Sequence, residues 1–186
     1  MIDRDEIARL TEHYGGQWGI QHTRRLLELM QRIGAGLTYD AQAVWLAAHL
    51  HDWGGYAAWA QPDVDHVLRS MQVVEPFLEE RGCPPRLQAR VMECIALHHQ
   101  PGADRSVEAI LLRDADVLDF LGVVGALRDV SKNPRDMRRA YDQIKQRRQN
   151  LPALLHLQAS KVIAAERLRH MDRLLRDFEA ETAGAF

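Results

Sequence analysis

The most restrictive feature of this sequence is its shortage of β-branched residues relative to strong helix formers. Leu and Ala each occur 23 times, whereas Val occurs 12 times, Ile 8 times and Thr 4 times. Leu and Ala favour helices, while β-branched side chains favour the pleated surface of a sheet. The composition therefore predicts an all-α fold, and a chain of 186 residues is long enough for one helical domain with a sizeable core.

Glycine, proline and polar clusters divide the chain into a series of predicted helices. We predict helices at 3–14, 18–33, 39–53, 63–81, 85–99, 105–129, 134–149 and 152–180. The last has a long amphipathic pattern and should pack across the rest of a helical bundle. Pro76 lies inside the fourth and should kink it, because proline removes a helical hydrogen bond.

Charge and cysteine content disfavour several classes of protein. The chain has 24 Lys and Arg against 26 Asp and Glu, so it lacks the basic excess of proteins that bind nucleic acid or anionic membranes. It contains neither a signal-peptide pattern nor an apolar run of membrane-spanning length. Cys83 and Cys94 fit neither a disulfide framework nor a CxxC site. We expect a cytoplasmic protein that binds neither nucleic acid nor membranes.

Four potential metal ligands stand out because they lie in predicted helices among apolar residues: His22, His51, Asp52 and Asp116. Imidazole nitrogen and carboxylate oxygen together suit several divalent ions, and two carboxylates offset the charge of such an ion. Adjacent residues lie ~100° apart on a helix, so His51 and Asp52 can reach one centre only near a helix end. The following Gly54–Gly55 pair predicts that end. Taken singly, each of the four is more often a surface or hydrogen-bonded residue than a ligand.

The order of these residues resembles the H…HD…D signature of the HD-domain metal-dependent phosphohydrolase superfamily. The run DADVLDFLGVVGALR, from Asp114 to Arg128, is similar to the DADrLDaiGaiGiaR stretch of a small bacterial nucleotide-hydrolysing subgroup. The run ASKVIAAERLRHMDRLLRDFEAE resembles the C-terminal helix of that subgroup. The family pattern ALLHDIG is replaced here by AAHLHDWGG, with His49 in an apolar position.

The resemblance implies one HD-type helical domain over 1–186, with a metal-site core at about 18–130 and a C-terminal helical extension at about 131–182. It implies a divalent metal ion (Mn, Mg, Fe, Ni or Co) and a small phosphorylated substrate. Nucleotides are the expected class, such as a nucleoside triphosphate cleaved to monophosphate and pyrophosphate by metal-activated water. The alternatives are a nucleotidase or phosphodiesterase with the same metal centre, and a non-catalytic metal-binding sensor or scaffold. The sequence leaves the oligomeric state open.

Three acids on one predicted helix compete for the last ligand position. Helical periodicity does not decide between Asp114, Asp116 and Asp119, whereas the match to the family motif favours Asp116. Asp119 would then share a helix face with Asp116 and could orient a ligand or water. We expect Asp114 to cap a helix or form a salt bridge.

Two arginines are candidate phosphate-binding residues. Arg25 follows His22 by three positions and so shares its helix face, where a guanidinium could bind phosphate oxygens or form a surface salt bridge. Arg128 closes the DAD…R run and is a weaker candidate. A basic run from Lys132 to Arg148 predicts a solvated helix face, which could also attract a triphosphate.

Histidines outside the metal signature are candidates for catalysis and substrate binding, together with Asp52 as a catalytic residue. His66 could bind phosphate, donate a proton, complete a second metal site or lie on the surface. The resemblance places His98 at the substrate side of the site, as a phosphate-binding and proton-donating residue. For His99 we favour a structural role as a cation near a helix C-terminus.

Overall fold

The computed structural model describes residues 2–100, 102 and 104–186, and these residues form helices and no strand. The predicted all-α fold is therefore confirmed. The α-helices are α1 (Arg4–Ile33), α2 (Ala41–Leu50), α3 (His66–Glu80), α4 (Pro85–Leu97), α5 (Val107–Asp119), α6 (Gly122–Lys132), α7 (Met137–Asn150) and α8 (Gln158–Thr182). Short 3₁₀ helices occupy Trp53–Gly55 and Leu151–Leu154.

The chain divides into two units at the bond between Arg113 and Asp114, inside α5. The first unit contains α1 to α4 and the start of α5, and the second contains the end of α5 and α6 to α8. One domain over the whole chain remains a prediction. In the described part of the chain, no helix combines the length and the apolar character needed to cross a membrane.

In the first unit, α1 is bent at Gly16, where the sequence predicted a break between two helices. Gly16 has φ 61° and ψ −166°, a backbone conformation that residues other than glycine rarely adopt. The predicted helices at 3–14 and 18–33 are thus the two arms of one kinked helix. The second arm carries His22, so the kink helps to set the direction from which this side chain enters the core.

The turn after α2 packs directly against the backbone of α3. A Cβ atom on Gly54 would lie 2.2 Å from the Ser70 amide nitrogen and 2.5 Å from the His66 carbonyl oxygen. The Gly54 N–H donates a hydrogen bond to Ser70 Oγ at 2.9 Å. The absent side chain therefore lets α3 approach the HDWGG turn, and His66, the first residue of α3, comes to lie beside that turn.

Two other helices of the first unit follow from local sequence signals. Asp65 caps α3, because its carboxylate accepts hydrogen bonds from the Val67 and Leu68 N–H groups. The helix runs through Pro76 to Glu80 without being divided. Pro85 is the first residue of α4, a position where the missing N–H costs no helical hydrogen bond.

The second unit corrects the predicted helix at 105–129, which was wrong. The chain forms α5 and α6, separated at Phe120 and Leu121. The Leu121 N–H donates a hydrogen bond to the Leu118 carbonyl at 3.0 Å. This bond spans three residues, as in a 3₁₀ turn, and marks the end of α5. The Phe120 ring then lies under two guanidinium groups, those of Arg128 and Arg147, each with its Cζ 4.2 Å from the ring centroid. These contacts come from later in the chain and leave no periodic signal in the helix itself.

The start of the last helix was also predicted too early, at 152. Residues Leu151–Leu154 form a 3₁₀ turn, and α8 begins only at Gln158. The fully buried Asp114 carboxylate accepts hydrogen bonds from the backbone N–H groups of His156 and Leu157, at 3.0 and 2.8 Å. Asp114 therefore holds the segment that precedes α8, while α8 itself has no side-chain cap.

Substitution of Gly54 by alanine tests the close approach of α3 to the turn. We expect Gly54→Ala to lower the free energy of unfolding by about 1–3 kcal/mol, the usual cost of overpacking a tight site. Gly55→Ala is the matched control, because its new Cβ would meet only His66 Cβ, at 3.7 Å. Urea unfolding of both variants measures the difference, and equal stability of the two would contradict the proposed backbone contact.

Candidate metal centre

Three side chains of the first unit bring donor atoms together at one point. His22 comes from α1, and His51 and Asp52 follow the end of α2. Nε2 of His22 lies 3.4 Å from Nε2 of His51, and Oδ2 of Asp52 lies 3.7 and 3.5 Å from these two nitrogens. Both imidazoles are buried, while Asp52 is 21% exposed. We call this group the HD triad.

The spacing of the HD triad fits a divalent metal ion. A point equidistant from the three atoms lies about 2.0 Å from each, which is the usual distance from a metal ion to imidazole nitrogen or carboxylate oxygen. Acceptor atoms this close repel one another unless a cation or a proton lies between them. The residues present therefore could hold a divalent ion, as expected from the sequence, and they do not determine which ion.

Local structure orients the imidazole of His51. Its Nδ1 lies 3.1 Å from the carbonyl oxygen of Ala48, so Nδ1–H donates to that carbonyl and Nε2 presents its lone pair to the triad. The helix ends at Leu50, which lets His51 and Asp52 face one centre. The prediction that this pair lies at a helix end is confirmed.

His49 has a different surrounding from its neighbour His51. Its ring stacks on Trp45 with centroids 3.8 Å apart, and its Nδ1–H donates to the Trp45 carbonyl at 2.9 Å. Burial lowers the pKa of His49 to about 4, so the imidazole is neutral at physiological pH. This histidine fills the apolar position of the family pattern as a packed aromatic ring.

A second histidine group lies beside the HD triad. One ligand atom from each of His66, His98 and His99 lies within 4.8 Å of the other two. We call these residues the histidine trio. His98 is buried, His66 is half-buried and His99 is exposed, so the trio extends from the interior to the surface. The Nδ1–H of His98 donates to the Ile95 carbonyl at 2.6 Å, which fixes the ring and directs Nε2 the other way.

Asp52 lies between the two groups. Its Oδ2 belongs to the HD triad, and its Oδ1 lies 4.0 Å from Nε2 of His66. The ring centroids of His51 and His98 are 5.2 Å apart. The two groups are therefore adjacent, and one carboxylate faces both.

Open space borders the trio on its exposed side. A cavity of about 350 Å³ is lined by Asp65, Val67, Leu68, Met71, His99 and Gln100. Its lining combines polar groups with apolar side chains from the start of α3. A small ligand in this cavity would contact His99 directly.

His99 is the residue that the sequence reasoning undervalued. It follows the end of α4, and the structure groups it with the two histidines chosen as candidates. The signal that could have found it was the adjacent pair His98–His99, since two neighbouring imidazoles after a helix end can both turn toward one cluster. His66 is brought to that cluster by the contact of α3 with the turn at Gly54.

The remaining candidates lie at separate places in the chain. Arg25 is half-buried on α1, three residues after His22. In the second unit, Asp116 is buried on α5, at 4% exposure. Asp119 is fully buried and its Oδ2 accepts from Nη1 of Arg128 at 2.5 Å. The roles predicted for these four residues in metal and phosphate binding remain predictions.

Comparison with known proteins agrees with this description. The family model of the HD domain matches residues 19–121, which include both the HD triad and the histidine trio. No curated protein matches the chain.

Three solved structures share the fold over nearly the whole chain. The structure of Bacillus subtilis YpgQ in complex with ADP is 23% identical, with a TM-score of 0.76 over 98% of this chain and 99% of that one. Lin1889 from Listeria innocua is 18% identical, with a TM-score of 0.73 over 98% of each chain. An HD-superfamily hydrolase from Bacillus thuringiensis is 20% identical, with a TM-score of 0.74 over 96% of this chain and 95% of that one. Because the family model covers more than half of the sequence, the chain belongs to the HD-domain family of metal-dependent phosphohydrolases.

Proposed function

We propose that this protein hydrolyses nucleotides at a divalent metal ion held by the HD triad. The observation that carries the proposal is the convergence of two imidazole nitrogens and one carboxylate oxygen within 3.7 Å. A nucleotide substrate is supported by the similar fold of YpgQ, a structure of which contains ADP. It is also supported by the resemblance of the DAD…R run to a nucleotide-hydrolysing subgroup.

The residues of the triad have complementary tasks. A divalent ion bound there would lower the pKa of water and offset charge on the reacting phosphoryl group. His22 and His51 supply imidazole nitrogens, and the orientation of His51 is fixed by Ala48. Asp52 supplies a negative charge that helps to balance that of the ion, and it is the triad member that is exposed to solvent.

We propose Asp116 as the fourth ligand. Its support is the family motif, together with its burial on α5, since a buried carboxylate needs a cation or hydrogen-bond donors around it. Asp114 is engaged elsewhere in the second unit, by the His156 and Leu157 N–H groups. Asp119 accepts a hydrogen bond from Arg128. This pairing favours a structural role for both residues over direct binding of substrate by Arg128.

The histidine trio would act on the substrate beside the metal. His66 and His98 would bind phosphate oxygens or donate a proton to the leaving oxygen, a role that contributes ~10²–10⁴-fold in rate. Arg25 would bind phosphate from the helix face that it shares with His22. The open cavity next to His99 gives the leaving group room on that side. No covalent intermediate with the protein is required.

One observation favours a second arrangement of the site, with two metal ions. One ring nitrogen from each histidine of the trio lies within 4.8 Å of the other two. The trio could bind a second metal ion. Asp52 would lie beside that ion, because its Oδ1 is 4.0 Å from Nε2 of His66. This arrangement would make Asp52 a ligand shared between two ions. The number of ions bound per chain separates it from a trio that binds substrate.

The bond that is cleaved belongs to the same proposal. We propose that a nucleoside triphosphate is cleaved to monophosphate and pyrophosphate. Orthophosphate as the product would indicate a nucleotidase, and hydrolysis of cyclic or linear diesters a phosphodiesterase. A protein that binds metal and hydrolyses none of these substrates would be a sensor or scaffold.

Asp52→Asn tests the metal centre directly. We expect loss of bound metal and a fall in nucleotide turnover of more than ~100-fold, because the amide lacks the negative charge that binds the ion. Metal analysis of the purified protein and product analysis with a nucleotide panel measure the two effects. The exposed Asp177→Asn on α8 is the matched control. Unchanged metal content and turnover in Asp52→Asn would remove the triad from the mechanism.

His99→Ala distinguishes the two arrangements of the trio. If the trio binds substrate, we expect one metal ion per chain in both wild type and variant, with an effect limited to catalysis. Equilibrium dialysis with Mn²⁺ followed by metal analysis gives the stoichiometry. Two ions in wild type and one in His99→Ala would support the two-metal arrangement instead.

Asp116→Asn and Asp114→Asn separate the two acids of the DAD run. We expect Asp116→Asn to lose metal binding and activity. Asp114→Asn should retain the metal and lose at least ~1.5 kcal/mol of stability, since its charged oxygens accept backbone hydrogen bonds. Metal titration and urea unfolding of both variants decide the assignment, and the reverse pattern would make Asp114 the ligand.

A further inference from the structure

Trp18 presents an exposed indole ring next to the HD triad. It lies one helical turn before His22 on the second arm of α1, and 42% of its surface is exposed. Its ring is nearly parallel to the His22 imidazole, with an angle of 27° and centroids 5.6 Å apart. The indole is therefore an exposed aromatic side chain that stacks on a buried residue of the triad.

The other tryptophans of the chain are less exposed than Trp18. Trp53 is fully buried and stacks on Trp59, with centroids 4.7 Å apart. Trp45 stacks on His49 and lies under the guanidinium of Arg4. Trp18 differs from these three because it is exposed and its ring stacks on a residue of the HD triad.

The position of Trp18 is fixed by how α1 packs. A Cβ atom on Gly15 or Gly19 would lie 2.5 or 2.7 Å from atoms of the Tyr56 side chain, so this ring rests directly on the α1 backbone. Tyr56 is itself buried. Tyr56 therefore packs against this part of α1, and Trp18 and His22, four residues apart, lie on one side of the helix.

We propose that Trp18 is the stacking surface for the nucleobase while the phosphates lie at the HD triad. This inference rests on the proposed nucleotide hydrolysis and names the part of the substrate that the protein recognises outside the phosphates. An aromatic ring contacts the flat surface of a base and not its hydrogen-bonding edge, so the protein binds nucleotides with several different bases. Purine nucleotides bind more tightly than pyrimidine nucleotides, because their larger rings cover more of the indole.

The kinetic test compares a substrate with a base and one without. In Trp18→Leu, the KM for ATP rises by about 5- to 150-fold, the range that loss of one base–aromatic stack produces. The KM for inorganic tripolyphosphate and the kcat for both substrates stay unchanged. Trp18→Phe retains an aromatic face and restores most of the affinity for ATP.

Tyr14→Leu is the matched control for this test. Tyr14 is a similarly exposed aromatic residue of α1, at 37%, but it precedes the kink at Gly16 and packs against Trp59. Its replacement leaves the KM for ATP unchanged. Thermal unfolding of all three variants shows whether each remains folded.

A binding measurement gives a second readout that does not depend on turnover. Titration with α,β-methylene-ATP in the presence of Mg²⁺ quenches the tryptophan fluorescence of the wild type, and this quenching is absent in Trp18→Leu. The same titration with tripolyphosphate leaves the fluorescence of both proteins unchanged.

The outcomes separate this inference from the proposed function. If the wild type hydrolyses nucleotides but Trp18→Leu has an unchanged KM for ATP, the stacking role is wrong and nucleotide hydrolysis stands. Equal losses with ATP and tripolyphosphate would also overturn stacking, because they would show that Trp18 acts through the His22 ring. If the wild type neither binds nor hydrolyses any nucleotide, both proposals fail.

Discussion

The close approach of three potential metal-binding atoms is the constraint on which this structure depends. Two imidazole nitrogens and a carboxylate oxygen are held within 3.7 Å of one another, mostly out of contact with water. Such an arrangement is unfavourable unless a cation or a proton lies between these atoms. Residues outside the HD triad must therefore keep its three side chains in place, and the helices and turns around the site do so.

Contacts that involve the backbone position the donors of the triad. The kink at Gly16 and the Tyr56 ring fix the arm of α1 that carries His22. The end of α2 directs His51 and Asp52 to one side, and the Ala48 carbonyl selects the tautomer of His51. Backbone contacts suit this purpose because they move less than long side chains, and a shift of a fraction of an ångström would change metal affinity.

The single helix α5 shows how similar residues acquire different roles. Asp114 is saturated by backbone N–H groups that precede α8, and Asp119 is paired with the buried guanidinium of Arg128. Asp116 lies between them in the sequence and is also buried. Spacing along the helix could not rank these three carboxylates, whereas their hydrogen-bond partners distinguish two of them at once. The match to the family motif is what supports the proposal that Asp116 is a metal ligand.

The sequence by itself determined the helical class, the location of most helix ends and the HD triad. The helical class and the helix ends follow from local signals: composition, glycine and proline positions, and an adjacent His–Asp pair before two glycines. The grouping of His22 with that pair follows from the resemblance to the HD family. Tertiary structure placed the Phe120 ring, just after the end of α5, under guanidinium groups from α6 and α7. Tertiary structure likewise decided that His99 lies beside His66, since these two residues are far apart in the chain. Their meeting depends on the packing of α3 against the turn at Gly54, and a contact between backbones leaves no periodic pattern in the sequence.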